Sequence, residues 1–382
     1  MRVGVYTDYT YHRVDDQVFA ERAFALFLAR LAPQFERFFL IGREHPEGGP
    51  ARYPIGGNVE FVPLPFYSSL ADPIAVARRA AQAAARFWRV LGELDCVWLL
   101  GPHPLATVFV LLARARRKPV VLGVRQDTVA YVRARHPQRA ALQLAGGILD
   151  AVWRALARRI PVVAVGPGIA SQYSQAKALL EITVSLVEEA DIVAPAVALA
   201  RRYDDEELRV ISVGRLEAEK NPLMLADVIA RLEERSSPWR LTVCGEGGLR
   251  EPLEDRLREL GVDHCAELVG YVPFGPRLLA LYRESHALLH VSWTEGLPQV
   301  LAEAFAAGLP AVATDVGGVS SAVAGAVVLI PPGDPGAAAA ALDSVRRDPH
   351  LRDRLVRSGN DWVRSHTVTA ELNRVGSFLR AA

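Results

Sequence analysis

Apolar residues along this chain follow two alternating rhythms. Short β-rich runs at residues 2–6, 38–41, 59–62, 97–100, 120–124 and 161–165 predict strands. Between them, Ala/Leu/Arg stretches at 19–31, 73–91 and 105–114 place apolar residues three and four apart, the spacing of one helix face. A polar stretch at 200–208 (ARRYDDEEL) interrupts the pattern. Beyond it the same grammar resumes, with strands expected at 209–213, 241–244, 267–269, 287–291, 311–313 and 327–329. Strand and helix in regular alternation mean a parallel α/β construction. The pattern predicts a first domain over 1–200, a second over 209–360, and a last helix within 361–382 that packs back on the first domain. The Ala337–Ala341 run reads as helix. The longest apolar stretch, 104–113, is far short of the ~20 residues of a membrane helix and predicts a buried helix.

Composition agrees with two cores: the chain has 382 residues, 51% of them hydrophobic. Cys96, Cys244 and Cys265 are an odd number without C-x-x-C spacing, so neither a disulfide framework nor a zinc site is expected. Met1 leads directly into a short strand and then polar residues, with no signal-peptide pattern, and cytoplasmic placement is the expectation. Charge is divided unevenly. Residues 1–190 hold 23 Lys and Arg against 16 Asp and Glu, a balance of +7; the remainder holds 21 against 27, or −6. No aromatic and basic interleaving or nucleic-acid motif accompanies the arginines, which argues against nucleic acid. Three readings stay open: solvated helix faces, peripheral contact of the basic first domain with an anionic membrane surface, or an anionic acceptor.

Ligands of doubly wound sheets sit beyond the carboxyl ends of the strands, so the loops after strands carry the candidate chemistry. In the second half, Val213-Gly214-Arg215-Leu216 is followed by Lys220-Asn221-Pro222, two fixed positive charges in one turn, matched to a diphosphate. Lys220 is one of only three lysines among 44 basic residues, so a compact point charge is distinctive there. Cys244-Gly245-Glu246-Gly247-Gly248 is a turn that lets backbone approach a nucleotide, and Val269-Gly270-Tyr271-Val272-Pro273 offers backbone groups and an aromatic. The fourth loop, His290 to Pro298, leads into a helix from Gln299 to Ala307 that is stopped by Gly308. Pro298 suits the first helical position, and the amides near Gly296 and Leu297 would face an anion. Glu303 is the single charge in that apolar helix and needs solvent or a hydroxyl-bearing partner such as a ribose.

Glu295 and Glu303, an E-x7-E pair inside TEGLPQVLAEAFAAGLPAVATDVGG, together with VGRLEAEKNP, resemble family 4 of the retaining glycosyltransferases, the "glycosyl transferases group 1" type. The resemblance covers most of 209–345. It implies the GT-B fold: two Rossmann-like domains with parallel sheets facing across a cleft. It also implies transfer of a sugar from a nucleoside-diphosphate sugar to a hydroxyl acceptor on a glycan, lipid or small molecule, a transferase activity of class EC 2.4 in carbohydrate biosynthesis. Arg215 and Lys220 would neutralise the diphosphate, and Glu295 would contact the sugar or stabilise its developing charge. Glu303 would hold the ribose, Gly214, Gly245, Gly296, Leu297 and Pro298 would lie along the donor, and Tyr271 and Val272 would flank the base. No metal or other cofactor is expected, since no convincing D-x-D loop is present.

The first half departs from the family. Where a Gly-Gly loop is common the chain reads Tyr11-His12-Arg13-Val14-Asp15-Asp16, and where a histidine is common it reads Arg125-Gln126-Asp127. Asp16, Gln126 and Asp127 are therefore the candidates for acceptor contacts, with Asp127 as a helix cap the competing reading. Two other functions share these features: a non-catalytic nucleotide-sugar binding or scaffold protein, and a GT-B epimerase or phosphorylase.

Overall fold

The computed structural model describes residues 1–47, 53–67, 73–323 and 325–382. It forms two compact units: Met1–Val129, Ala140–Val184 and Glu371–Ala382 in the first, Ala130–Arg139 and Ser185–Ala370 in the second.

In the first unit the chain order is β1 (Arg2–Val14), β2 (Gln17–Ala20), α1 (Phe24–Leu31), β3 (Arg37–Glu44), β4 (Tyr53–Pro54), β5 (Glu60–Leu64), α2 (Pro73–Val90), β6 (Cys96–Gly101), α3 (Pro104–Ala115), β7 (Val120–Val124), α4 (Thr128–Arg135, which runs into the second unit), α5 (Ala140–Ala157), β8 (Val162–Val165), α6 (Pro167–Gln172) and β9 (Leu179–Ile182). The parallel strands lie in the order β5-β3-β1-β6-β7-β8-β9, with β2 and β4 antiparallel on the extension of β1. The expected strands are all present. Two local expectations are corrected. β1 does not end at Tyr6 but continues to Val14 and turns back as a hairpin, pairing Tyr11 with Ala20. The helix expected from residue 19 begins only at Phe24, because Val18 and Ala20 are buried on one side of a strand.

The second unit contains α7 (Pro195–Leu199), β10 (Leu208–Val213), α8 (Leu223–Glu233), β11 (Trp239–Cys244), α9 (Arg250–Glu259), β12 (Ala266–Gly270), α10 (Pro276–Glu284), β13 (Ala287–His290), α11 (Gln299–Ala306), β14 (Ala311–Thr314), α12 (Val319–Ala322), β15 (Val327–Ile330), α13 (Pro335–Arg347) and α14 (Pro349–Ser365). Its strands run in the order β12-β11-β10-β13-β14-β15, all parallel, so the order reverses between β10 and β13. A crevice opens at such a reversal beyond the strand ends. Alternate residues of β10 serve opposite cores: Val210 packs with the residues of α8 and α13, Ile211 with those of α11. Both faces of the sheet are covered, as its near-continuous apolar strands require.

The polar stretch 200–208 lies within the second unit. The preceding residues are tied beneath α11: Val193 N donates to Ala306 O, and Arg201 Nη1 to Gly308 O at 3.1 Å. The helix expected within 361–382 is divided between two helices, the end of α14 and α15 (Val368–Ala381), separated where Val368 N bonds Val187 O. The residues from Glu371 onward belong to the first unit, where Arg374 Nη2 donates to Glu181 O. Expected buried, α3 is buried on one side only, with Leu105, Phe109 and Val110 inside and Leu111 60% exposed.

Phe305, 1% exposed, meets Trp362 edge-on with ring centres 5.5 Å apart, and Trp362 Nε1 donates to Ala322 O. Truncation there leaves a cavity that a two-helix contact cannot close. Phe305→Ala should lower unfolding free energy by about 3–5 kcal/mol, read from urea denaturation followed by tryptophan fluorescence.

Candidate active site

The strand reversal decides which loops meet. The loop after β10 carries Gly214, Arg215 and Lys220; the loop after β13 carries Ser292 to Pro298. They are joined by an ion pair and a backbone hydrogen bond. Lys220 Nζ pairs with Glu295 Oε1, which also takes hydrogen bonds from Ser292 Oγ at 2.8 Å and meets His290 Nε2 at 3.1 Å. Trp293 N donates to Glu219 O, fastening one loop's backbone to the other.

Glu295 is only 11% exposed at its side chain. Burial alone would raise its carboxyl, but the Lys220 charge and the His290 contact outweigh it and hold Glu295 far below the usual carboxylate range. Glu295 is thus a fixed negative charge at the strand ends. Arg215, in the same loop as Lys220, has its own partner: Nη2 donates to Glu219 Oε1 at 2.7 Å, with Arg135 Nη1 3.9 Å from the same oxygen. Glu219 is 3% exposed and its Oε2 has no hydrogen-bond partner.

Glycines let these loops touch. A Cβ on Gly245 would overlap the Gly214 carbonyl oxygen, and one on Gly317 (φ +59°) would overlap the Glu295 carbonyl oxygen. By contrast, a Cβ on Gly214 or Gly248 would meet nothing within 4 Å, so those glycines border open space. Gly245, expected along the donor, therefore acts first as a spacer between the loops after β10 and β11.

Glu303 on α11 is 6% exposed, and Tyr282 Oη donates to its Oε2 at 2.8 Å. Burial pushes its carboxyl up to about 7 despite that bond. Pro298 is not the first helical residue but the extended residue before it (ψ 124°), while Gly308 follows the helix end at φ +67°, as expected. Gly296, Leu297 and Pro298 are buried. Tyr271 is half-buried, and Val272 sits in the core with Leu278 and Cys244.

The acceptor candidates belong to the first unit and follow different strands. Asp16 is exposed at the β1–β2 hairpin tip, beside Asp15 at φ +52°. Gln126 is exposed after β7, and Asp127 Oδ2 accepts from Gln172 Nε2 at 3.1 Å immediately before α4. The sequence reading passed over His103, which follows β6. Its Nδ1 accepts from Leu105 N and lies 3.2 Å from Tyr6 Oη, and burial lowers its basicity. The Gly-Pro-His-Pro stretch between strand and helix was the available signal. His290, Ser292 and Glu219 were likewise assigned no role, because their importance lies in spatial partners. Elsewhere, at the far end of α8, Glu233, His264 and Cys265 are the one group of three metal-capable side chains among the described residues, with Arg240 Nη1 donating to Cys265 Sγ.

Residues 200–362 match the family model described as glycosyl transferases group 1. An uncharacterized glycosyltransferase of Methanocaldococcus jannaschii is 31% identical over 42% of this chain and 41% of its own length. A D-inositol 3-phosphate glycosyltransferase of Frankia alni is 34% identical over 49% of this chain and 52% of its own. The chain thus spans about half the length of the curated relatives it matches. Among solved structures, sucrose-phosphate synthase of Thermosynechococcus elongatus superposes with a TM-score of 0.78 at 17% identity, covering 100% of this chain and 98% of that one. Anabaena HepE in complex with UDP-glucose gives 0.72 at 15%, covering all of both chains. These likenesses establish the two-domain GT-B fold.

Below its ordinary value of 4.5 Glu303 is protonated folded or unfolded; between there and about 7 the folded protein keeps a proton that the unfolded chain has lost. Its contribution to stability therefore falls as pH rises across that window. Glu371, also raised to about 7 by burial against the pull of Arg374, acts in the same direction. Glu303→Gln should remove roughly half of the decline in urea midpoint between pH 5 and 7.5; an unchanged slope would place Glu303 in a wetter setting.

Proposed function

We propose that this protein transfers a sugar from a nucleoside diphosphate to a hydroxyl acceptor, with retention of anomeric configuration and without a metal; the match of residues 200–362 to the group 1 glycosyl transferases and the GT-B fold of the whole chain support this reading. The observation that carries the proposal is the Lys220–Glu295 pair at the strand reversal, with Arg215 in the same loop. Lys220 and Arg215 supply two positive charges for the diphosphate and for the nucleotide that leaves. Gly214 leaves room for the phosphates, and the backbone of Gly296 to Pro298 lies at the start of α11 alongside them.

Glu295, kept ionised by Lys220 and His290, provides negative charge where the sugar ring becomes cationic. Bond breaking at the anomeric carbon sends the electron pair to the phosphate oxygen. The acceptor oxygen attacks the same face, and the departing phosphate takes its proton. No protein nucleophile is consumed in this front-face route. Tyr271 and Val272 flank the base, Gly245 keeps the loops in contact, and Asp16, Gln126 and Asp127 are the acceptor-side candidates. His103, with its depressed basicity, is a neutral hydrogen-bonding group on the same unit. Anabaena HepE, which shares the fold, was solved with UDP and with UDP-glucose, consistent with a nucleotide-sugar donor here.

Thermal shift with UDP, GDP, ADP and dTDP, with and without EDTA, is the direct test. One nucleotide should stabilise the wild type, equally in EDTA, and fail to stabilise Arg215→Ala. Lys220→Ala should lower kcat by about 10²–10³-fold in a transfer assay. Binding of a nucleotide without turnover on any hydroxyl acceptor would replace this reading with a non-catalytic one.

A second outcome concerns Glu303. Ribose hydroxyls donating to its carboxylate favour the ionised form, so donor binding should expel the proton held up to about pH 7. Nucleotide affinity should rise between pH 5.5 and 7, with calorimetry in buffers of different ionisation enthalpy detecting proton release at pH 6. Proton release unchanged in Glu303→Gln would remove Glu303 from the ribose site.

A further inference from the structure

α2, α3 and α5 form one layer on the first unit's sheet. The connections β6-α3-β7 and β7-α5-β8 both step the same way along the strand order, so right-handed crossovers place α3 and α5 on one face. α2 packs against α3 on that face. The outer side of this layer is unusual in two respects.

First, it exposes large apolar side chains in register. On α5, Leu144, Ile148 and Val152 recur every fourth residue at 68%, 58% and 39% exposure. Ala141, Ala145, Ala151 and Ala155 fill the same exposed stripe, so no polar side chain interrupts it over four turns. Asp150 and Trp153 of the same helix are buried, so the stripe is the face turned away from the core. On α3, Leu111 is exposed, and on α2 so is Trp88, with the Arg116 guanidinium stacked 4.2 Å over its ring. A soluble surface has no need of such a stripe; a rimmed apolar patch marks an interaction face.

Second, the layer has almost no negative charge. The three helices contain a single acidic residue, the buried Asp150, whose Oδ2 is occupied by Arg154 Nε at 2.6 Å. The same three-helix layer carries exposed arginines: Arg78, Arg79 and Arg89 on α2, Arg114 on α3, and Arg158 and Arg159 just beyond α5. These arginines belong to the stretch, residues 1–190, that holds the chain's positive balance. Exposed leucine, isoleucine and tryptophan with arginines on the same helix layer, and no exposed carboxylate on its three helices, fit an interface whose outer part is anionic and whose inner part is hydrocarbon.

We propose that this layer is a docking surface for an anionic lipid bilayer, with α5 lying in the plane of the headgroups and Leu144, Ile148 and Val152 reaching the acyl boundary. No helix among the described residues is long and apolar enough to cross a membrane. The proposal does not depend on the sugar-transfer reading, because none of these residues lies in the loops after β10 to β14.

The test is sedimentation of the full chain with vesicles of phosphatidylglycerol and phosphatidylcholine, and with phosphatidylcholine alone. Binding should be confined to the anionic vesicles and weaken as salt is raised from 50 to 500 mM. Leu144→Asp/Ile148→Asp should reduce the partition coefficient by at least about tenfold, and Arg158→Gln/Arg159→Gln by a smaller, salt-dependent factor. Both variants change exposed side chains, and an unaltered melting temperature with unaltered nucleotide stabilisation confirms that they fold. Equal binding to neutral vesicles, no binding to either, or binding that Leu144→Asp/Ile148→Asp leaves intact would overturn the proposal. So would self-association in ultracentrifugation that the same apolar variant abolishes in a protein that ignores vesicles, since the stripe would then cover a second copy of the chain.

Discussion

A carboxylate removed from water must be matched by charge close at hand, and Glu295 imposes that requirement on the second unit. Three partners converge on one of its oxygens: Lys220 from the loop after β10, His290 from the end of β13, and Ser292 from its own loop. Lys220 could not reach it without the strand pairing that sets β10 beside β13. Loss of Lys220 would leave a nearly buried anion, the kind of defect that costs more than the pair contributes. Sheet order and ion pair are therefore one constraint seen at two scales. The glycines complete it, since the carbonyls of Gly214 and Glu295 are approached by Gly245 and Gly317 at distances that any side chain would forbid.

Much of the second unit was legible in the sequence because its rules are local. All-parallel strands buried on both faces read as short apolar runs, and each loop after them carried its own punctuation of glycine, proline and charge. Gly308 as the stop for α11 needed only its neighbours. His290 and Ser292 are near Glu295 in sequence, yet neither residue type is unusual until the loop folds its side chain onto that carboxylate. The same holds for Glu219, whose value is set by Arg215 four residues away and by Arg135 from a distant stretch of chain.

The first unit was harder to read for a different reason. β1 runs past the sheet edge of β6 and into a hairpin, so residues 7–14 look like a loop if only the sheet core is expected. The hairpin changes what Asp16 is: a residue at an exposed tip rather than one in a loop at the strand's end. The apolar period in 73–91 and 105–114 did reveal helices, but period alone does not say whether a stripe faces a core. On α5 the buried side is defined by Asp150, Trp153 and Ala157, which leaves the more hydrophobic Leu144 and Ile148 outside. Hydrophobicity and burial part company there, and no count of apolar residues could have separated them.

Charge has opposite uses in the two units. Around the apolar layer of the first, basic residues stand with few carboxylates, so their field extends outward. In the second, the excess of acid holds the few functional cations in place: Lys220 by Glu295, Arg215 by Glu219. On the proposed reading a diphosphate arriving between β10 and β13 does not meet free cations but competes with carboxylates already there. Its net gain is the difference between two charge-assisted interactions, and it keeps the positive groups oriented before the ligand comes. Glu219 sharpens the competition, because its Oε2 is buried without a partner and gains nothing from losing Arg215. Arg215 is therefore best shared between Glu219 and the phosphate, whereas Lys220, a point charge with three donors, can serve Glu295 and a phosphate oxygen together. That difference gives a physical reason for lysine at 220 in a chain that otherwise writes its positive charge almost wholly as arginine.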